Sequence, residues 1–358
     1  MINVTKPFLP PINEYEEYLE GIWERNWLTN YGPLVNELEA KLKDYLQVDY
    51  LQYTVNGTVP LQIAIKVLGV KGDVITTAFS YVATTGTILW ENCNPVFVDI
   101  EPNTFCINPD KIEASITNST TAILATHVYG FPCDVIKIEQ IAKKHNLKVI
   151  YDGAHAFGVK IKGKSIFNYG DISTCSFHAT KLFHTIEGGA IICNNSDMND
   201  KIFLHKAFGH KGDDHISIGI NGKNSEFHAA MGLCNLPRVN EFIERRKVIA
   251  DLYRSVLSSL SVNFPLIPEE IEYNYSYFPV LFDSEEMVLK VKTYLETHKV
   301  NTRRYFFPSL NKLPYLNDTA TCPVSEDISK RVLCLPFYQQ LSDTEVYFIC
   351  SRIKEVKE

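Results

Sequence analysis

The sequence predicts an α/β fold, a largely parallel sheet with helices on both faces, followed by a smaller α+β domain. Three observations predict it. Short apolar runs alternate with amphipathic helical stretches through the first part of the chain, the pattern of crossover connections between parallel strands. The chain has 358 residues, 45% of them hydrophobic and 22% charged, enough for one large or two modest cores. After Pro237 a long helical stretch, Val239–Leu257, leads into a differently patterned C-terminal part. The expected division is therefore residues 1–237 and 238–358.

Residues 1–12 read as an extended arm punctuated by Pro7, Pro10 and Pro11. Glu14–Arg25 is predicted helical, with Tyr18, Ile22 and Trp23 on its apolar face. Asn30-Tyr31-Gly32-Pro33 breaks it. Leu34–Leu46 is a second amphipathic helix, with Leu38, Leu42 and Tyr45 or Leu46 inward. Asn56-Gly57-Thr58 separates a short apolar strand from a helix over Val59–Leu68. Pro60 falls in the first turn of that helix, where its missing N–H costs nothing. Free N–H groups at a helix start attract phosphate, although these residues alone read first as a plain turn and cap. Strands are predicted at Asp73–Thr77, Pro95–Ile100, Thr121–Val128 and Lys148–Tyr151, with a helix at Ile136–His145. In such a sheet sites collect at the carboxyl ends of the strands, where Tyr81, His127 and Asp152 fall. Beyond the long helix, Tyr277–Phe282 reads as a strand and Glu285–His298 as a helix, and Leu333–Phe337 and Asp343–Ile353 complete the second domain.

The chemistry is concentrated between Lys148 and Asn195. The strand Val149-Ile150-Tyr151 delivers Asp152, with His155 three positions on. A second apolar segment ends in Ser176-Phe177-His178-Ala179-Thr180-Lys181. Glu187-Gly188-Gly189 then leads into a third strand, Ala190–Cys193. Singly, an Asp or Lys is most often a solvated surface charge. Together, a carboxylate at one strand end and a lysine after another suit pyridoxal 5′-phosphate (PLP), which takes a lysine amine and an acidic partner for its pyridine nitrogen.

These blocks resemble the DegT/DnrJ/EryC1/StrS family of nucleotide-sugar aminotransferases. The resemblance rests on Tyr151-Asp152-Gly153-Ala154-His155-Ala156-Phe157-Gly158, Gly170-Asp171, Ser176 to Lys181 and Glu187-Gly188-Gly189-Ala190, with weaker matches along nearly the whole chain. It implies PLP fold type I, as in aspartate aminotransferase: a large domain with a mostly parallel mixed sheet plus a smaller C-terminal α+β domain. It implies catalytic roles for Lys181 and Asp152. It places the PLP phosphate on the backbone of Gly57 and Thr58 and on Ser176, stacks Tyr81 on the ring, and sets His155 at the ring hydroxyl. Asn221, in Gly219–Glu226, would reach the phosphate of the other subunit, so a homodimer with shared sites is implied. Asn56 stands where the family has serine, Asn224 where it has Met and His228 where it has Gln. Arg303 and Arg304 match a segment near the substrate and read either as a diphosphate contact or as a solvated basic pair.

The implied substrates are a nucleotide-linked keto sugar and L-glutamate. The opening, the Leu28–Pro33 segment, His127–Asp134 and Asn301–Pro308 look most like the branch that makes dTDP-4-amino-4,6-dideoxyglucose. Amination at C3 and a non-catalytic PLP-binding regulator are the alternatives. A dehydratase branch replaces the lysine with histidine, and Lys181 speaks against it.

A net charge of −7 argues against a broad nucleic-acid footprint. Nine cysteines, an odd number without a CxxC pair, fit reduced thiols in a cytosolic protein better than disulfides or a metal site. No apolar run has the length of a signal peptide core or a membrane span, so a cytoplasmic protein is expected. Gly158–Ser165 matches the nucleotide-binding P-loop pattern, but its interior alternates like a strand and no helix start follows, so that reading is set aside.

Overall fold

The structure, a computed structural model, describes residues 1–316 and 320–357. Helices α1 (Ile12–Arg25) and α2 (Pro33–Leu46) come first. Strands and helices then alternate: β1 (Tyr50–Thr54), α3 (Val59–Val67), β2 (Asp73–Thr77), α4 (Val82–Trp90), β3 (Asn94–Val98), β4 (Thr120–Thr126), α5 (Val135–His145) and β5 (Lys148–Asp152). A hairpin of β6 (Lys160–Ile161) and β7 (Lys164–Ser165) precedes β8 (Ile172–Ser176) and β9 (Gly189–Cys193). After α6 (Ser196–Lys206) come a second hairpin, β10 (His210–Lys211) and β11 (Asp214–His215), then α7 (Glu226–Asn235) and α8 (Val239–Leu257). The chain continues through β12 (Ile271–Glu272), β13 (Pro279–Leu281), α9 (Glu285–Thr297), α10 (Pro323–Arg331), β14 (Val332–Cys334) and α11 (Asp343–Lys357).

Among the described residues, seven strands form one sheet in the order β1-β9-β8-β5-β4-β2-β3. β2, β3, β4, β5 and β8 run parallel. β9 runs antiparallel to both of its neighbours, β8 and β1. The sheet is thus mostly parallel and mixed, as expected. Strand side chains alternate between faces. Val74, Ala122, Leu124, Ile150, Ile172 and Ile191 cluster with Leu61 and Ile65 of α3 and Ile202 of α6. Ile75, Ile123, Ala125, Val149 and Tyr151 belong to the larger core, which also holds Leu38 and Leu42 of α2 and Leu233 of α7. The parallel strands end along one edge, where Asp152 is in register with Thr126 on one side and Thr174 on the other.

The long helix α8 links two cores. Val239 and Phe242 belong to the large one, whereas Ile249, Tyr253 and Leu257 join Phe278, Phe282, Leu295 and Ile349 in the second. The N-terminal arm reaches this second core: Ile2 N–H donates to Lys299 O at 2.8 Å, and Asn301 N–H to Ile2 O at 2.8 Å. In return, the segment before α10 packs on the large sheet. Asp99, just past β3, caps α10 by accepting from Val324 N (3.1 Å) and Ser325 N (2.9 Å).

Two sequence expectations meet the structure differently. Ile22 of α1 is fully buried, but Trp23 is 66% exposed and only rests edge-on against Phe227. Adjacent residues on a helix are about 100° apart, so both cannot lie at the centre of one stripe. Gly158–Ser165 forms the β6–β7 hairpin, turning through Lys162 and Gly163 with φ of 49° and 77°. A three-residue 3₁₀ turn, Ile166–Asn168, follows. A phosphate-binding loop would have to feed a helix, and the structure supplies a strand instead.

Candidate active site

Asp152 is the last residue of β5 and is 5% exposed. Its Oδ2 accepts from Thr84 Oγ1 at 2.8 Å and its Oδ1 from Ala154 N at 3.1 Å. Burial pushes the carboxyl above its ordinary pKa, while the Ala154 N–H, the Thr84 hydroxyl and the charge of Lys181 pull it back. Lys181 follows β8 on the next strand over and is half-buried. Its Nζ donates to Tyr277 Oη at 3.1 Å.

His155 lies one turn beyond Asp152 and is 4% exposed. Its Nδ1 accepts from Tyr129 N at 3.2 Å, which leaves the ring proton on Nε2 in the neutral tautomer. Burial, and then the Lys181 charge, hold its pKa well below the usual histidine value. The imidazole stacks on Phe306 (5.5 Å, 10°) and meets Tyr277 edge-on (4.9 Å, 71°). Tyr81 is half-exposed at the N-terminus of α4, with its ring 6.4 Å from that of Phe306.

Gly57 lies against Ser176 at the end of β8. A Cβ on Gly57 would come within 2.6 Å of Ser176 Cβ and 2.8 Å of its Oγ, so only glycine fits. Asn56 Oδ1 accepts from the backbone N–H groups of both Thr58 and Val59 at 2.9 Å. The Asn56 side chain thus already engages the Thr58 amide at the start of α3.

A cavity of about 320 Å³ joins these elements. Asn56, Gly57, Thr58, Tyr81, His155 and Lys181 line it, and Tyr277, Arg303, Tyr305 and Phe306 complete one wall. His178 and Glu187 line it as well, with Nε2 and Oε1 3.5 Å apart. Larger clefts of about 580 and about 670 Å³ lie elsewhere, away from the strand ends that converge here. Asp152 and Ser176 sit behind the cavity surface rather than on it. Asn221 is apart from it, exposed, in a backbone bridge with Ala207. His127 is no part of the wall either. Its ring is buried against Tyr151 (4.7 Å, 20°), and its Nδ1 accepts from Cys133 N at 3.1 Å.

Thr84, Tyr277 and Phe306 were not singled out from the sequence. Thr84 lies one turn beyond Tyr81, so a prediction of α4 would have placed it under Asp152. Tyr277 comes from the second half of the chain with no local signal, whereas Phe306 lies within Asn301–Pro308, the segment whose resemblance sets it near the substrate.

The residues fit PLP on three counts. Gly57, packed closely on Ser176 and without a side chain of its own, lines the cavity with Thr58 at a helix start. Lys181 puts a primary amine in the cavity. Asp152 is a buried carboxylate with two neutral donors, the setting in which a cationic ring nitrogen would be stabilised.

The sheet order, the domain arrangement and this convergence of strand ends define a PLP fold type I protein. The chain belongs to the DegT/DnrJ/EryC1/StrS aminotransferase family, whose profile matches residues 12–354. It is 44% identical to the dTDP-4-amino-4,6-dideoxy-D-glucose transaminase of Shigella dysenteriae, over 99% of each chain. It is 34% identical to the GDP-perosamine synthase of Escherichia coli O157:H7, over 95% of this chain and 94% of that one. A solved structure described as DesI in the presence of its TDP-sugar product superposes with a TM-score of 0.94 at 31% identity, covering 99% of this chain and 92% of that one.

Among the described residues no helix is long and apolar enough to cross a membrane, and no cluster of three or more His, Cys, Asp or Glu is placed to hold a metal. All nine cysteines are buried.

Proposed function

We propose that this protein is a PLP-dependent aminotransferase that aminates a keto sugar carried on a nucleotide, with dTDP-4-keto-6-deoxyglucose as acceptor and L-glutamate as donor. The observation that carries the reading is one cavity lined by His155 and Lys181, with the buried Asp152 carboxylate behind its surface and Gly57 packed closely on Ser176. The products would be dTDP-4-amino-4,6-dideoxyglucose and 2-oxoglutarate. The higher identity to the dTDP-sugar relative than to the GDP-sugar relative supports the choice of nucleotide.

When bound, PLP supplies an electrophilic carbon for the amine and a ring that withdraws electrons from the carbon losing a proton. Lys181 holds the proton that moves between donor, acceptor and solvent, as general acid and base. Asp152 would keep a proton on the ring nitrogen, and the Nε2–H of His155 would serve the ring oxygen. Ser176 and the backbone at Gly57 and Thr58 would hold the phosphate, and Tyr81 would pack against the ring, worth about 1 kcal/mol beyond burial. Asn221 would serve the phosphate of a second copy, making a homodimer the working unit. The same reading divides the chain at residues 237 and 238 and places it in the cytoplasm.

The position of amination is the sharpest test. The reacting carbonyl must stand beside Lys181, and a misplacement of about 1 Å costs about a hundredfold in rate. Holoenzyme is incubated with glutamate and either the 4-keto or the 3-keto isomer, and the new amine is located by NMR. An amine on C4 is expected. An amine on C3, with the 4-keto sugar untouched, refutes the proposed acceptor and leaves an aminotransferase. No amination of either, with PLP bound, points to the regulatory alternative.

A further inference from the structure

We infer that the buried Lys206 is a positioning residue for the cofactor phosphate: it fixes the Asn56–Thr58 turn at the end of β1 and the loop that carries Asn221 in one relation to each other. The inference rests on the PLP site proposed above and adds to it a residue outside the cavity.

Lys206 is the last residue of α6 and is fully buried. A lysine is almost never buried to that degree unless it is paired. Its Nζ donates to Tyr53 O at 3.0 Å and to Glu39 Oε1 at 3.3 Å, and lies 4.7 Å from the centroid of the Tyr31 ring. Glu39 Oε1 also accepts from Tyr53 N at 2.7 Å. Tyr53 belongs to β1, the edge strand of the sheet. In an antiparallel pair alternate residues turn both N–H and C=O away from the neighbouring strand. At Tyr53 a carboxylate and an ammonium take these two groups. Two residues on, Val55 N donates to Gly222 O at 3.1 Å, and Gly222 N donates to Lys206 O at 2.9 Å. Asn221 itself bridges Ala207. The bonds close a ring, from the Lys206 side chain through Tyr53, Val55 and Gly222 back to the Lys206 carbonyl.

Stability alone does not call for this arrangement. Burying an ammonium is costly, and apolar side chains of similar volume in place of a buried ion pair often hold a fold as well or better. What they cannot do is donate to the Tyr53 carbonyl and so fix the strand that enters the turn. That turn has no slack on its inner side. A Cβ on Gly57 would come within 2.6 Å of Ser176 Cβ, and one on Gly189 within 2.1 Å of Asn56 O. The turn is pressed against the ends of β8 and β9 from inside, and Lys206 holds the strand leading to it from outside. An outward shift of that strand end would carry the Gly57 and Thr58 amides away from Ser176, separating the groups proposed to hold the phosphate.

The test compares PLP with pyridoxal, which lacks the phosphate, by equilibrium dialysis against the full chain stripped of cofactor. In Lys206→Met, affinity for PLP should fall about tenfold, the size of one lost hydrogen bond to a charged group, with pyridoxal unchanged. Inorganic phosphate should compete with PLP less well in the same variant. Lys206→Arg, which keeps a donor, should recover most of the preference for PLP. The double variant Glu39→Gln with Lys206→Met leaves no stranded carboxylate and keeps an acceptor for Tyr53 N. It should fold with a denaturant midpoint near that of the unaltered protein and still show the loss specific to PLP. Equal losses for PLP and pyridoxal in the folded double variant would overturn the inference as a general packing effect. An unchanged ratio of the two affinities would overturn it outright. If the unaltered protein binds PLP no more tightly than pyridoxal, the phosphate site at Asn56–Thr58 fails and the inference with it, while the cofactor reading stands. If it binds neither, both fall.

Discussion

Thr84 donates its hydroxyl hydrogen to Oδ2 of Asp152 at 2.8 Å, and Ser80 supplies the hydrogen that the Thr84 oxygen accepts at 2.9 Å. The direction follows from valence: a carboxylate only accepts, so the one hydrogen of Thr84 is spent on Asp152. Removing a donor from the charged form raises a carboxyl pKa. In Thr84→Val the acidic limb of the kcat/KM profile should therefore move to higher pH, with a loss of about tenfold at neutral pH. Thr84→Ser should resemble the unaltered enzyme. A drop in activity with the limb in place would show that Thr84 only packs.

Lys181→Ala should abolish turnover and the visible absorption of lysine-bound cofactor. Non-covalent retention of PLP is still expected, because Gly57, Ser176 and Asp152 are untouched. Near-normal turnover would remove Lys181 from the chemistry.

Asn56 caps α3 through the same Thr58 amide that the phosphate is proposed to use. Asn56→Ala should destabilise the cofactor-free protein by about 1 kcal/mol, the usual value of an N-terminal cap. It should also tighten PLP binding, since the phosphate no longer displaces a side chain. Denaturant midpoints and equilibrium dialysis of PLP measure the two effects. Weaker PLP binding would mean that Asn56 assists the phosphate rather than competing with it.

If Asn221 completes a neighbour's site, Lys181→Ala and Asn221→Ala protomers should complement each other when mixed. One site of each hybrid dimer would then be intact. Measured activity should exceed that of either variant alone, and a fully active monomer in sedimentation would contradict the arrangement.

Burial pushes the His127 ring down to about 3 from its ordinary 6.5. Below pH 6.5 the unfolded chain takes up a proton that the folded chain refuses. The stabilisation is complete above that pH and is lost as pH falls toward 3, by up to about 1.4 kcal/mol per pH unit. His155 is depressed in the same direction. Urea midpoints should drop from pH 7 to pH 5, and His127→Asn should make the slope shallower without abolishing it. An unchanged slope would mean that His127 does not set it.

Much of the large domain was legible because its strands are short runs rich in Val, Ile and Thr, bounded by Gly, Asn or Asp. Boundaries such as Asp73–Thr77 and Val239–Leu257 fall where the pattern puts them. α4 was not legible. Its sequence, VATTGTILW, is poor in helix formers, and the helix exists because Thr84, Thr85 and Thr87 are buried against the sheet. That gap concealed Thr84. The placement of Asp152 and His155 followed from a strand end. Tyr277 depends on how the second half of the chain folds back, which no local pattern encodes.

The pairing of β1 with β9 sets an order on synthesis. Tyr50 lies opposite Cys193 and Thr54 opposite Gly189. A growing chain reaches β1 early, but its partner leaves the ribosome on the order of ten seconds later at ordinary elongation speeds. Until then the strand that carries the Asn56–Thr58 turn is unpaired on both edges, the kind of surface chaperones shield, whereas in the finished sheet one edge is paired with β9. A polypeptide that stops short of Gly189 has Lys181 and Asp152 but no strand to hold that turn against Ser176. On the function proposed above, cofactor capture would therefore wait until β9 has been made and would not seed the early sheet.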